Sequence, residues 1–327
     1  MLYRTFSDDD SEEDSAAREP EYSFAGYNVE FSEKIALTPA ASAATSKAQS
    51  RSRAFILDPK NDKLDEMPRA EFERIERDAD RSDARKKIID LAAGSAVARF
   101  RWPGRGVAPG GYIKGMALTY ARVYCKLKGG DAAATEMAKA ATTDASRDAL
   151  AHYASEFRSA GMANDVAGAD TLRHVFVLLV GLGMRESSGQ YCMGRDPGAS
   201  NTSGDTAEAG LFQTSFNARA GNSLMEDLFR QYKDKPAGYV EVFKEGVSCS
   251  AANLKDWGTG DGKEYQRLAK AAPAFAAEFT AVGLRNIRRH WGPINTKTAE
   301  INADADALLL QVQNLVDQSN LCPLLQD

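Results

Sequence analysis

The chain has 327 residues and carries 41 Lys and Arg against 46 Asp and Glu, which gives a formal net charge of −5. This balance argues against a nucleic-acid-binding protein, which usually has a dominant basic face. Hydrophobic residues make up 43% of the chain, enough for a sizeable core. Because Ala-rich segments dominate and alternating Val, Ile and Thr are scarce, we predict a soluble, mainly α protein of one large or two modest domains. No membrane span is expected, since the longest apolar run, at residues 175–182, is far shorter than the ~20 residues that a span needs.

The first 60 residues have the composition of a leader. Six of the seven residues from 8 to 14 are acidic, and residues 36–52 are rich in Ala, Ser and Thr. Neither stretch can bury enough apolar surface to offset its ordering entropy, so we predict a disordered leader over residues 1–60. No secretory signal is visible, because the start of the chain turns acidic at once and lacks an apolar segment. The location stays open, and export to the cell envelope would need a non-standard route.

Helical periodicity begins near Pro68. We predict that the chain from there on forms two regions. Residues 61–169 are predicted to form an N-terminal helical extension, with helices near residues 68–79, 84–98, 112–127, 132–141 and 146–157. Residues 170–327 are predicted to form a second domain, with helices near residues 172–184, 223–232, 237–244, 264–270, 273–287 and 298–316. Asp170 is the expected N-cap of the central helix at 172–184. Residues 187–212 are crowded with Gly, Ser, Asn, Thr and Asp, which predicts turns and a small β-hairpin flap.

The four cysteines are too few for a disulfide scaffold in a chain of this length. Cys192 and Cys249 lie in polar loops and could pair, whereas Cys125 lies in an apolar helical run and is predicted to be a buried thiol. Spacing alone leaves the connectivity open. No His-Glu-x-x-His or paired Cys-x-x-Cys pattern occurs, so neither a metal site nor a cofactor is predicted. Asn302 begins an Asn-Ala-Asp-Ala-Asp run without the glycine and distal Glu of a calcium loop, which favours helix capping.

Glu186 is the first candidate for chemistry, because it directly follows the apolar segment at residues 175–184. Desolvation at such a position disfavours the charged carboxylate and lets it keep a proton near neutral pH. A negative charge at a helix C-terminus also interacts unfavourably with the helix dipole, and a functional role would explain why an acid stands there. The alternative is an ion pair with Arg185 or Arg195. The local pattern predicts a general acid.

Two motifs, Glu-Ser-Ser-Gly at residues 186–189 and Ala-Gly-Leu-Phe-Gln at residues 209–213, resemble the lysozyme-like superfamily, most of all lytic transglycosylases and goose-type lysozymes. In those enzymes a hydrophobic helix ends in Glu-Ser, a short β region follows, and a Gly-Leu-Met-Gln motif leads back into helix. The resemblance covers about residues 172–217 and implies a lysozyme-like helical domain with a small β-hairpin flap. It implies that Glu186 is the catalytic acid and that Ser187 and Gln213 shape a glycan cleft.

The chain departs from that pattern in three places. Phe212 stands where the family usually has Met, and the spacing from Glu186 to Gly210 is 24 residues, longer than expected for a transglycosylase. The Tyr-Asn-Ala-Gly motif of a later transglycosylase helix is not found. Tyr265 and Trp291 are the candidates for its role.

The resemblance implies a glycosidase that cleaves β-1,4 bonds of peptidoglycan or a related, chitin-like N-acetylglucosamine polymer. Hydrolysis with inversion would need a second carboxylate roughly 6.5–9.5 Å from the acid, and Asp196, Asp205 and Glu208 are the candidates. Lytic transglycosylation needs no second carboxylate, because the 6-hydroxyl of the sugar attacks and a 1,6-anhydro product results. Two other hypotheses stay open: a non-catalytic glycan-binding or envelope-assembly protein on the same fold, and an exported toxin or phage-type lysin.

Further polar and aromatic residues are candidates for substrate binding. Gln213 and Asn217 could bind N-acetyl groups or cap the next helix. The aromatic candidates for stacking on sugar rings, which could equally be packing residues, are Tyr191, Trp257, Tyr265 and Trp291. The basic candidates for binding lactyl or stem-peptide carboxylates, which could equally serve a helix C-terminus, are Arg285, Arg288, Arg289 and His290.

Overall fold

The computed structural model describes residues 69–196, 198–234 and 238–325, which are mainly helical. The leader predicted for residues 1–60 lies outside the described residues. The α-helices are α1 Arg69–Gly94, α2 Gly110–Lys128, α3 Ala132–Met137, α4 Ala149–His152, α5 Ala154–Ser159, α6 Ala169–Ser187, α7 Ser223–Asp234, α8 Val240–Phe243, α9 Ala251–Leu254, α10 Gly260–Ala271, α11 Pro273–Asn286, α12 Gly292–Asn295, α13 Ala303–Gln318 and α14 Cys322–Leu325. Short 3₁₀ helices cover Val97–Arg99, Phe216–Gly221 and Arg288–His290.

The N-terminal helix α1 is continuous where two helices were predicted. Residues 80–83 contain neither Gly nor Pro, so nothing in the sequence interrupts the helix between the two predicted segments. Its inward face consists of Ala84, Ile88 and Ala92, four residues apart, and they are buried against the core. The helix ends at Gly94.

Helices α2, α6 and α11 form the centre of the molecule and contact one another. Each is apolar on nearly every face, as expected for helices surrounded by protein. The buried Tyr112 hydroxyl of α2 donates a hydrogen bond of 2.9 Å to the carbonyl of Val180 in α6. The N-cap of α6 is Gly168, and the predicted cap Asp170 instead forms an ion pair with Arg173 in the first turn.

The β structure lies upstream of the predicted flap. β1 (Arg101–Trp102) and β2 (Gly106–Val107) form a two-stranded antiparallel hairpin between the helices predicted at 84–98 and 112–127. Gly104 and Gly106 have φ values of 68° and 75°, which a tight turn requires and glycine adopts without steric cost. In the predicted flap at 187–212 the described residues form turns, and Ala209 makes one isolated bridge to Thr214.

Residues on both sides of position 170 share one core. The segment Pro68–Asp327 forms one compact unit, in which α2 packs against α6, α11 and α13. The boundary predicted at residue 170 therefore falls within a packed body. Among the described helices, none combines the length and apolarity needed to cross a membrane.

Two disulfides cross-link this unit, and they use all four cysteines. Cys192 and Cys249 are bonded, as their loop positions allowed. The prediction of a buried thiol at Cys125 is wrong, because this residue is bonded to Cys322. The partner is 197 residues away in sequence and reaches Cys125 only because α14 packs against α2, which no local pattern indicates.

Candidate active site

Glu186 is the penultimate residue of α6, at the point where the chain leaves the core. Ser188 adopts a left-handed conformation with a φ of 54° and ends the helix. Its N–H donates to the carbonyl of Met184, and the N–H of Gly189 donates to the carbonyl of Gly183. These bonds satisfy carbonyls that a helix end otherwise leaves without partners. The backbone of Glu186 is therefore held in place by the end of a buried helix.

A cavity of about 340 Å³ opens beside Glu186. Three parts of the chain form its walls: the end of α6, the loop that follows Cys192 and continues to the Gly-Leu-Phe-Gln turn, and helix α9. Its lining residues are Glu186, Met193, Gly194, Arg195, Asp196, Glu208, Gln213, Ala252 and Asn253. Three carboxyl groups thus face one small cleft.

The surroundings of Glu186 favour its protonated form. Burial, together with the negative charge of Glu208, raises its pKa to about 7, whereas Arg105 acts in the opposite direction. Arg185 and Arg195, the two arginines considered as ion-pair partners of Glu186, bind backbone carbonyls instead. Arg185 donates to the carbonyl of Pro103, and Arg195 donates to the carbonyl of Ala199. A carboxyl group with a pKa near 7 can hold and release a proton at neutral pH.

The three candidates for a second carboxylate differ in position. Glu208 lines the cleft and is half-buried, and burial together with the charge of Asp196 raises its pKa. Asp196 also lines the cleft but is exposed, and its Oδ1 accepts a hydrogen bond of 2.8 Å from the N–H of Gly198. Asp205 is exposed and is not among the lining residues. The structure thus brings two of the three acids to Glu186.

The Gly-Leu-Phe-Gln motif is a tight turn that places Gln213 in the cleft wall. Gly210 has a φ of 77°, and its N–H donates to the carbonyl of Met193 on the neighbouring wall. Leu211 and Phe212 are buried and anchor the turn in the core. The Gln213 side-chain amide donates a hydrogen bond of 3.0 Å to the carbonyl of Gly210, which orients it within the turn.

Three of the predicted substrate-binding side chains lie in the protein interior. Ser187 is buried, and its hydroxyl donates to the carbonyl of Gly183 within α6. Tyr265 is fully buried among phenylalanine rings, so its ring is not available to a sugar. Trp291 is also buried, and its indole N–H donates a hydrogen bond of 3.1 Å to the carbonyl of Phe212. Trp291 therefore supports the turn that carries Gln213 without reaching the cleft.

Two further predicted binding residues line different cavities. Tyr191 is nearly buried beside the disulfide, with its hydroxyl 3.4 Å from Cys249 Sγ, and it lines an apolar cavity. Asn217 is exposed and lines a cavity of about 590 Å³, and its Oδ1 accepts from the Ser215 hydroxyl. Neither side chain is among those that line the cleft at Glu186.

The basic cluster separates into structural and surface members. Arg285 is buried and forms two hydrogen bonds, of 2.9 and 3.0 Å, with the carboxylate of Asp148. Arg288 donates to the carbonyl of Ala145 and to Asn295. Arg289 and His290 line the same cavity as Asn217. The cluster as a whole is therefore not one carboxylate-binding site.

Two parts of the site were absent from the sequence-based prediction. Arg105, on the β1–β2 hairpin, donates to the carbonyl of Arg185 and so lies next to the end of α6. Helix α9 contributes Ala252 and Asn253 to the cleft. The only signal for α9 was the possible pairing of Cys249 with Cys192, because a bond between them brings residues 250–254 to the cleft.

No protein-family model, curated protein or solved structure matches the chain. Within the described part of the chain, no group of three or more His, Cys, Asp or Glu is arranged to hold a metal ion. The cleft and its carboxyl groups are therefore the basis for assigning a function.

Proposed function

We propose that this protein is a glycosidase that cleaves β-1,4 bonds of peptidoglycan or a related N-acetylglucosamine polymer, with Glu186 as the general acid. The observation that carries this proposal is a carboxyl group with a pKa of about 7, located at the end of a buried helix in a cleft that holds two further carboxylates. Glycosidic cleavage requires a proton donor at the leaving oxygen, and a carboxylic acid with a raised pKa is the group that usually supplies it.

The cleft also contains groups for the second half of the reaction. In a hydrolase, ionised Glu208 would orient a water molecule toward the oxocarbenium-like centre, and exposed Asp196 would add negative charge nearby. In a transglycosylase, the 6-hydroxyl of the sugar would attack instead. Gln213 in the cleft wall offers an amide that can bind N-acetyl or hydroxyl groups of the glycan.

The test of this proposal is Glu186→Gln, which keeps the shape of the side chain but removes its titrating proton. We expect the rate of release of soluble fragments from purified peptidoglycan to fall about 10²–10⁴-fold, the usual contribution of general acid catalysis. Glu300→Gln is the matched control, because burial also raises the pKa of Glu300, which lines a different cavity. Equal rates for wild type and Glu186→Gln would overturn the assignment.

Mass spectrometry of the released fragments decides the reaction. Fragments with 1,6-anhydro ends would identify a lytic transglycosylase, and fragments with reducing ends would identify a hydrolase. Binding to the polymer without release of fragments would instead support the non-catalytic glycan-binding protein. Chitin digested in parallel shows whether the cleft requires the substituents of peptidoglycan.

A further inference from the structure

The disulfide Cys192–Cys249 joins two of the three segments that form the walls of the cleft at Glu186. Cys192 directly precedes residues 193–196, which line one wall. Cys249 directly precedes Ser250, which caps α9, and α9 provides Ala252 and Asn253 of the opposite wall. The bond connects residues 57 positions apart, so it is a covalent link between two segments that are distant in sequence and meet at the cleft.

The α9 wall has little support of its own. The helix has four residues, and none of them is buried. Its capping box joins Ser250 to Asn253 and so stays within the segment. An isolated helix of this length is not stable in water, so its position depends on contacts with the rest of the protein.

The contacts that hold this segment to its neighbours are mainly polar. Lys270 Nζ donates to the carbonyls of Asn253 and Leu254 at 3.2 and 3.1 Å, and it forms an ion pair of 2.7 Å with Asp256. On the cleft side the backbone of Gly194 approaches Asn253 so closely that a Cβ at residue 194 would lie 2.7 Å from its carbonyl oxygen. The Asn253 side-chain amide also donates a hydrogen bond of 3.4 Å to Met193 Sδ. Because no side chain of α9 is buried, apolar packing adds little to these contacts, and the disulfide adds a covalent restraint to them.

We propose that Cys192 and Cys249 are positioning residues whose disulfide completes the cleft, so that the site is fully formed only in an oxidising environment. The consequence for catalysis rests on the function proposed above. In the reduction step, a dithiol transfers two electrons and two protons to the bond, the two cysteines become thiols, and the dithiol becomes a cyclic disulfide. Formation in the cell is the reverse exchange with a disulfide oxidant, which extracytoplasmic compartments supply.

The second disulfide provides a matched control. Cys125, like Cys192, is fully buried, and Cys322, like Cys249, is half-buried. Cys125–Cys322 joins α2 to α14 and closes a sequence separation of 197 residues, against 57 for the other bond. Loss of Cys125–Cys322 should destabilise the protein at least as much as loss of Cys192–Cys249, because a disulfide that closes a longer loop restrains the unfolded chain more.

The experiment compares two double variants of the full chain, Cys192→Ser/Cys249→Ser and Cys125→Ser/Cys322→Ser. We expect only the first to speed up amide hydrogen exchange at residues 193–196 and 250–254, measured by mass spectrometry. We expect only the first to lower kcat/KM on peptidoglycan by about 10–100-fold, the usual effect of displacing groups around a reacting centre. Circular dichroism establishes that both variants are folded.

If the first double variant does not fold, the folded control variant provides the same test, because Cys192–Cys249 is then its only disulfide. Treatment with dithiothreitol should speed exchange in both cleft walls, and reoxidation should reverse the change. Unchanged exchange at residues 193–196 and 250–254 after reduction would overturn the proposal. So would equal local effects in both double variants, since the bond at the cleft would then act only on global stability.

The two proposals fail in different ways. An inactive wild-type protein whose cleft walls loosen on reduction would contradict the glycosidase assignment and keep the positioning role of the disulfide. A protein that cleaves the polymer, loses this activity in Glu186→Gln and shows no change on reduction would support the glycosidase assignment and contradict the positioning role of the disulfide.

Discussion

Glu186 holds its proton because two influences act in the same direction. Burial at the end of α6 disfavours the carboxylate, and the nearby charge of Glu208 disfavours it further. Only the protonated group can act as a general acid, so the rate should fall as the pH rises through about 7. The surroundings of Glu186 thus set the pH above which the proposed reaction slows.

Glu208→Gln should lower the pKa of Glu186, because it removes the negative charge and leaves burial as the main influence that raises this pKa. A carbon-detected NMR titration of the Glu186 carboxyl in Glu208→Gln should show this lower pKa, and any activity that the variant keeps should fall at a correspondingly lower pH. Asp205→Asn is the control, because Asp205 lies outside the cleft and should leave the midpoint unchanged. An unchanged midpoint in Glu208→Gln would show that the two acids are not coupled.

Two of the candidate residues that line the cleft share one property. Glu186 and Gln213 belong to local motifs, a helix end and a tight turn, whose shape depends on residues a few positions away. Tyr265 and Trp291 were chosen for residue type alone, and both are core residues. An aromatic side chain can stack on a sugar or pack in a hydrophobic core equally well, so only the tertiary fold shows which of the two it contacts.

At the scale of elements, the position of the acid depends on how α6 packs against α2. Gly183 lies three residues before Glu186 and faces the buried Tyr112 ring. A Cβ at residue 183 would lie 2.2 Å from the Tyr112 hydroxyl oxygen, far inside van der Waals contact. The absence of a side chain at this position therefore permits the close helix contact that holds the end of α6.

Gly183→Ala should destabilise the protein by about 1–3 kcal/mol, the usual cost of overpacking a core. It should also lower activity, because either α6 or Tyr112 must move. Gly94→Ala is the matched control: a Cβ there meets nothing within 4 Å, and alanine favours helix, so stability should stay the same or rise. Guanidinium unfolding of both variants measures the difference, and equal stabilities would contradict this account of the contact.

The sequence was informative about long apolar elements and less so about short ones. Helices α2 and α11 begin and end close to their predicted bounds, because apolar periodicity over several turns indicates a helix strongly. The predicted flap forms turns, and the hairpin lies at residues 101–107 instead. Strands of two residues are too short to show an alternating pattern, so their place depends on the turn and on neighbouring elements.

At the scale of the whole molecule, Arg285 connects elements that are distant in sequence. From α11 it binds the buried Asp148 carboxylate and also donates to the carbonyls of Met137, Lys139 and Ala140. Both partners of the ion pair are almost fully buried. Removal of one partner leaves the other charge buried without compensation, which usually costs far more than the pair itself contributes.

Arg285→Met should therefore lower the free energy of unfolding by about 3–5 kcal/mol. Arg289→Met, in the 3₁₀ helix that follows α11, is the control and should change this free energy by less than about 0.5 kcal/mol, because Arg289 is exposed. Thermal and guanidinium unfolding measure both variants. A loss in Arg285→Met no larger than in Arg289→Met would mean that the buried pair is not structural.

The sequence by itself determined the helical character, the buried helices and the placement of Glu186 at a helix end, because these depend on residues within one or two turns of each other. Only the tertiary structure decided which acids face Glu186, which cysteines pair and which aromatic rings are buried. Those outcomes depend on contacts between segments tens to hundreds of residues apart. Hydrophobic periodicity specifies which face of an element is buried but not which other element covers it.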